Sequence, residues 1–132
     1  MKKRSANPFE RCAYLSFATR KRNGDFVPTP VWFAADNGVY YLFSAGDAGK
    51  VKRLRNFSDA RIAPCTVSGR LTGDWQDANA YLVDSQAEIE RALAALRRKY
   101  GWQMRGLDAL SRLGGKLHKR AYIRVEPASP DA

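Results

Sequence analysis

Two tight turns do most to limit what this chain can fold into. Asn23-Gly24 lies between the apolar runs 12–19 and 26–34, and Asp36-Asn37-Gly38 lies between 26–34 and 39–44. Asn and Gly tolerate positive φ, which the commonest hairpin turns require. Each pair of runs is therefore expected to be antiparallel. A parallel pair needs a crossover of a dozen or more residues, so a doubly wound parallel sheet is excluded.

Further strands are expected over Arg61-Ile62-Ala63-Pro64-Cys65-Thr66-Val67, from Trp75 to Val83, and over about 119–126, where Ala121, Ile123 and Val125 alternate with polar residues. Between the last two the period changes. Ser85-Gln86-Ala87-Glu88 reads as a capping box, in which the Ser85 hydroxyl and the Glu88 carboxylate satisfy each other's orphan N–H groups. Ile89, Ala92, Leu93 and Leu96 follow at helical spacing, and Arg97, Arg98 and Lys99 precede Gly101, so a helix spans 85–100. Met104, Leu107 and Leu110 predict a shorter helix that stops at Gly114-Gly115. A basic helix is expected over 48–57. The pattern is mostly β with inserted α: a small six-stranded antiparallel barrel with flanking helices.

The 132 residues fit one domain. Residues 1–10 form a basic N-terminal arm, and residues 127–132 an expected disordered tail. The run 12–18 is too short for a signal sequence, and charged Arg20-Lys21-Arg22 follows it. No apolar run nears the ~20 residues of a bilayer span. Two cysteines, Cys12 and Cys65, and no sign of secretion make a cytoplasmic protein with free thiols the expectation. The formal net charge of +10 calls for an anionic partner.

Ser44-Ala45-Gly46-Asp47-Ala48-Gly49-Lys50-Val51-Lys52-Arg53-Leu54-Arg55-Asn56 suggests where that anion binds. A small Gly-rich loop leads into a helix whose first turns carry four cations. Cations oppose the dipole at that end, unless an anion such as phosphate sits on the free N–H groups. The pattern is not a nucleoside-triphosphate P-loop: two residues, not four, separate Gly46 from Gly49, and Val51 follows Lys50. A solvated basic face is the plain alternative. Against it, Val51, Leu54 and Phe57 form an apolar stripe that would set Lys50 and Arg53 along one edge.

Pro28 and Pro30 bracket Thr29 in a run that otherwise reads as a core strand, and Pro64 interrupts the fourth strand. Proline cannot donate to a ladder. The segment is either an edge strand guarded against aggregation or a lip left unpaired for a flat ligand. No catalytic residue stands out. His118 is the single histidine, no metal site is expected, and Cys65 beside Pro64 reads as a small buried residue. An enzyme of this composition would rely on a cofactor.

Val27-Pro28-Thr29-Pro30-Val31-Trp32-Phe33, Gly49 to Asn56, Ala63-Pro64-Cys65-Thr66 and Arg98-Lys99-Tyr100-Gly101 together resemble, in order and spacing, one group. It is the split-barrel flavin and deazaflavin proteins related to pyridoxamine 5′-phosphate oxidase, over roughly residues 12–126. The branch most resembled is the small oxidoreductases dependent on the deazaflavin coenzyme F420. The resemblance implies a six-stranded FMN-binding-type split barrel, a homodimer, and cofactor sites at the subunit interface. It implies that Thr29, Pro30, Val31 and Trp32 line the ring, that Ser44, Lys50 and Arg53 take the phosphate, and that Pro64, Cys65 and Thr66 close the facing wall. It implies F420 as cofactor, with FMN as alternative, and a hydride transfer to a small acceptor as the activity. The +10 charge suits the carboxylate-rich tail of F420. No membrane partner is expected. The rival of another class is a nucleic-acid or polyanion-binding module using the same helix, with Trp32, Tyr40 and Tyr41 for base stacking.

Overall fold

The computed structural model describes Phe9, residues 12–113 and residues 120–128. In chain order the elements are β1 (Tyr14–Arg20), β2 (Phe26–Val31), β3 (Ala34–Asp36), β4 (Val39–Ala45), α1 (Gly49–Leu54), β5 (Asp59–Cys65), β6 (Gln76–Val83), α2 (Gln86–Tyr100), α3 (Trp102–Leu113) and β7 (Arg120–Pro127). All seven strands pair antiparallel in one sheet, in the order β2-β1-β5-β6-β7-β4-β3.

The two ends of that order are joined by only two residues, Trp32 and Phe33. The run 26–34, expected as one strand, is therefore split. Its first part pairs with β1, a bend follows at Trp32-Phe33, and a second part pairs with β4. The sheet is curled so that its two edges meet at this seam, giving a split barrel with seven strands by count where six were expected. Side chains of both ends of the sheet meet inside: Leu15, Phe17, Val31, Phe33, Tyr40, Leu42, Ile62 and Ile123 form one buried cluster, joined by Phe9 from the expected N-terminal arm.

The bend is held from outside the sheet. The Tyr100 hydroxyl accepts the Phe33 N–H at 2.9 Å and sits 2.7 Å from the Ala13 carbonyl, to which it donates. The Lys99 ammonium donates to the Phe33 carbonyl at 2.8 Å and lies 3.4 Å from the Phe33 ring centre. The Trp32 ring stacks on Tyr100, centroids 4.3 Å apart. A bend inside an extended run strands peptide groups, and the end of α2 supplies their partners.

Both turns form, by different routes. Asn37 and Gly38 have φ of 51° and 85°, as a two-residue type I′ turn requires. At the first turn only Gly24 takes positive φ, at 93°, while the Asn23 side chain accepts the Asp25 N–H. The basic helix is shorter than expected, six residues instead of 48–57, and its N-cap Ala48 offers no side-chain acceptor. The fourth expected strand starts earlier, at Asp59, and ends at Cys65, because Thr66 and Val67 enter a turn closed by Gly69 N–H to the Thr66 carbonyl.

Helix α2 begins at the expected cap, where Ser85 Oγ accepts the Glu88 N–H at 3.1 Å. The reciprocal half of the capping box gives way to a stronger partner. The Glu88 carboxylate takes the Arg124 guanidinium and the Tyr41 hydroxyl, each at 2.8 Å. Helix α3 forms, but on a different stripe from the expected one: Met104 is buried, Leu107 half-buried and Leu110 exposed. Buried Asp108 takes the remaining inward position, paired to Arg97 and Arg120. Pro127, expected in the tail, ends β7, and the Ala128 N–H bonds to the Asp77 carbonyl. The Gly114-Gly115 stop, His118, residues 129–132 and most of the basic arm lie outside the described residues.

Candidate functional site

Strand β2 is a sheet edge, paired to β1 and, through the seam, bent away from β3. The phase of the ladder follows from one bond, the Lys21 N–H to the Asp25 carbonyl at 2.8 Å. Hydrogen-bonded pairs alternate, so Val27, Thr29 and Val31 turn their peptide groups to β1, and Pro28 and Pro30 turn theirs to the open edge. Neither proline breaks a ladder bond, and at Pro28 and Pro30 the open edge presents carbonyls without N–H donors. Pro64 does not interrupt β5. Its carbonyl faces away from β1 and accepts the Thr72 N–H at 2.8 Å, so its missing donor also falls where no strand pairs.

Strand alternation divides the predicted ring-lining residues between two faces. Thr29 and Val31 stand opposite Phe17 and Leu15 and point into the barrel. Pro30 stands opposite Ser16 on the outer face, with Ala63 and Cys65 of β5. Val31 is buried in the core and Trp32 is held by its stack on Tyr100. Thr29 is different: its Oγ1 is the one buried side-chain polar atom among the described residues with no hydrogen-bond partner. A buried unsatisfied hydroxyl costs about 1–3 kcal/mol, which a polar group of a ligand would recover.

The facing wall is largely self-satisfied. Thr66 Oγ1 is 3.0 Å from Ser68 Oγ and accepts the Arg70 N–H, so it shapes its own turn. Burial, helped by Cys12, pushes the Cys65 thiol up from its ordinary value, which keeps it protonated and poorly nucleophilic. On this outer face Ala18, Asp25, Phe26, Pro28, Arg61 and Trp75 line an open cleft of about 350 Å³.

Of the predicted anion residues, Arg53 stands at the hairpin end of β1, Lys50 one turn away on α1, and Ser44 on β4. Val51 and Leu54 bury one side of α1, as the apolar stripe required. This sets Arg53 against β1, where its Nε donates to Thr19 Oγ1 at 2.6 Å. Burial and the Arg53 charge both lower the Lys50 pKa, the direction that a nearby anion would reverse. Ser44 Oγ bonds only to the next carbonyl, that of Ala45, and belongs to the strand that leads into the Gly-rich loop. Thr19 and Thr29 face the same side of the sheet, two residues apart in register, roughly 7 Å. The unpartnered hydroxyl lies opposite the middle of β1, while Arg53 meets the hairpin end of the same strand. Pro64 and Cys65 lie further along β1, opposite Leu15 and Tyr14.

Sequence reasoning missed half of the cationic site. Arg20, Lys21 and Arg22, from the β1–β2 hairpin, join Lys52, Arg53, Asn56 and Phe57 around a cleft of about 240 Å³. Arg20 is fixed there by stacking its guanidinium 4.2 Å from the Phe57 ring centre. No acidic side chain lines this cleft. The Arg20-Lys21-Arg22 run before a hairpin turn was the available signal. A second omission is Lys99, whose ammonium burial at the seam pushes its pKa down to about 8.

No family model matches the chain, and no curated protein matches it. Solved structures do. HutZ, the heme storage protein from Vibrio cholerae, superposes with a TM-score of 0.69 at 16% identity, over 91% of this chain and 84% of that one. A conserved hypothetical protein from Mycobacterium tuberculosis gives 0.66 at 17% identity, over 90% and 75% of the two chains. A protein provisionally named a pyridoxamine 5′-phosphate oxidase, from Listeria innocua, gives 0.62 at 13% identity, over 92% and 88%. The chain has the split-barrel fold shared by these pyridoxamine 5′-phosphate oxidase-like proteins.

Proposed function

We propose that this split-barrel chain is an oxidoreductase that binds a phosphorylated deazaflavin, F420, or a flavin, and passes a hydride between it and a small acceptor. The observation that carries the reading is the acid-free cationic cleft between the β1–β2 hairpin and α1, with an unpartnered Thr29 hydroxyl further along β2. Lys50 and Arg53, with the hairpin cations, would hold the phosphate. Thr29 would take a polar edge of the ring system, with Pro30 on the open edge beside it. Pro64, Cys65 and Thr66 would stand across β1 as the far wall, and Ser44 at the loop leading to Lys50. When bound, the reduced cofactor supplies the hydride. The chain's own part is alignment and exclusion of water, which needs no side-chain acid or base.

A single chain leaves the outer cleft at Trp75 and Pro28 open, and we propose that a second copy covers it in a homodimer. The charge of +10 favours F420 over FMN, because its oligoglutamate tail brings several carboxylates.

The reading is tested by titrating the purified protein with F420, FMN and heme separately, following tryptophan quenching. Binding of F420 or FMN at micromolar or lower concentration is expected. In Lys50→Ala/Arg53→Ala it falls tenfold or more, since each charge-assisted bond to phosphate contributes about 1.5–3 kcal/mol. Tight binding of heme alone would replace the reading with a storage role like that named for HutZ. Salt-sensitive binding of an oligonucleotide with no cofactor binding would replace it with the polyanion module.

A further inference from the structure

Helix α3 turns a row of apolar residues to solvent. Trp102, Gly106, Ala109, Leu110 and Leu113 recur at i, i+4, i+7, i+8 and i+11, which is one face of a helix about 100° wide. Trp102 is 80% exposed, Leu110 69% and Leu113 86%. The opposite side of α3 is already in use, with Met104 in a buried cluster with Leu96 and Tyr100, and Asp108 between Arg97 and Arg120. A helix with its inner face satisfied and a second apolar face in water is built to meet something else.

The charges around the row select the occupant. From Arg97 to Arg120 the sequence carries eight lysines and arginines against one acid, Asp108; of these Arg97 and Arg120 pair with that acid and Lys99 is held at the Phe33 carbonyl. That acid is spent internally, at 3.0 Å from Arg97 and 2.8 Å from Arg120. Arg105, next to the row on α3, and Arg98, in the last turn of α2, are exposed. In a two-fold contact between copies of this chain, these cations would meet their own mates. Three large apolar side chains also fall far short of the 20–30 residues a side of a standard interface. An anionic surface removes both objections.

We propose that α3 lies on the surface of an anionic lipid bilayer, with Trp102, Leu110 and Leu113 at the headgroup–acyl boundary and the flanking cations on the headgroups. Twelve residues give a contact roughly 18 Å long. No helix among the described residues is long and apolar enough to cross a membrane, which bears on spanning and not on lying at its surface. The proposal does not depend on the cofactor reading.

The test is co-sedimentation of the full chain with mixed phosphatidylglycerol–phosphatidylcholine vesicles and with pure phosphatidylcholine vesicles. Binding to the mixed vesicles, weakened by salt, is expected. Trp102→Ser/Leu110→Ser/Leu113→Ser should lose it by about tenfold or more. These side chains are exposed, so the melting temperature should hold. An independent readout on the unaltered protein is quenching by lipids brominated in the acyl chain, which should vanish in Trp102→Phe while Trp32 and Trp75 remain. Undiminished binding by the triple variant, or no quenching of Trp102, overturns the proposal. So does a fall in oligomer mass of the triple variant without lipid, which would assign the row to a second copy.

Discussion

Replacing Tyr100 with Phe removes one oxygen from the barrel seam and leaves the ring, with its stack on Trp32, in place. The lost hydroxyl accepts the Phe33 N–H at 2.9 Å and donates to the Ala13 carbonyl at 2.7 Å. Phe33 and Tyr100 are both buried. The Phe33 N–H therefore loses its acceptor without gaining water, at about 1–3 kcal/mol. We take about 2 kcal/mol. The entropy of unfolding scales to about 0.28 kcal/mol/K for 132 residues, so Tyr100→Phe should melt about 7 °C lower. Amide exchange at Phe33 should accelerate at the same time, because the seam opens before the rest of the sheet. Calorimetry and exchange on the two proteins check both. A fall under about 2 °C with Phe33 still protected would refute the argument that this hydroxyl holds the bend.

Three further outcomes follow from the same geometry. Hydrogen bonds from the Arg124 guanidinium, opposed by burial and helped by Tyr41, hold the Glu88 carboxyl below its ordinary value. A depressed carboxyl contributes stability above its unfolded value and loses it as pH falls through the folded one. Melting in Glu88→Gln should therefore be lower at neutral pH, and less dependent on pH as it falls below 4.5, than in the native protein. Gly73→Ala would place a methyl 2.6 Å from Pro64 Cγ, so the β5–β6 loop must shift. A loss of about 1–3 kcal/mol is expected in urea unfolding. Burial lowers the Lys99 amine to about 8, so the folded state sheds its proton earlier than the unfolded chain does. The Lys99 contribution to stability should rise with pH from about 8 to 10.5, so the stability difference between the native protein and Lys99→Met should shift in favour of the native protein across that window.

The chemistry of single residues and their near neighbours was legible in the sequence. Positive φ at Asn37-Gly38 set one hairpin, the Ser85 hydroxyl capped α2 where the spacing put it, and alternation placed β7. Those effects act within four residues, so the order of the chain contains them. The prolines of β2 also announced an edge, because the missing N–H groups have nowhere else to face. The tertiary structure decided which distant groups meet. It bent 26–34 at Trp32-Phe33 because Lys99 and Tyr100, some 66 residues on, arrived with partners for Phe33. It took Glu88 from its capping box because Arg124, a stronger donor, lay across the sheet. It set Arg20-Lys21-Arg22 against α1, turning two separate basic runs into one cleft. On α3 two apolar stripes were compatible with the sequence, and packing of Met104 against α2 buried one and left Trp102, Leu110 and Leu113 in water. Periodicity states that a helix has an apolar face, but only the neighbouring elements determine which face they cover.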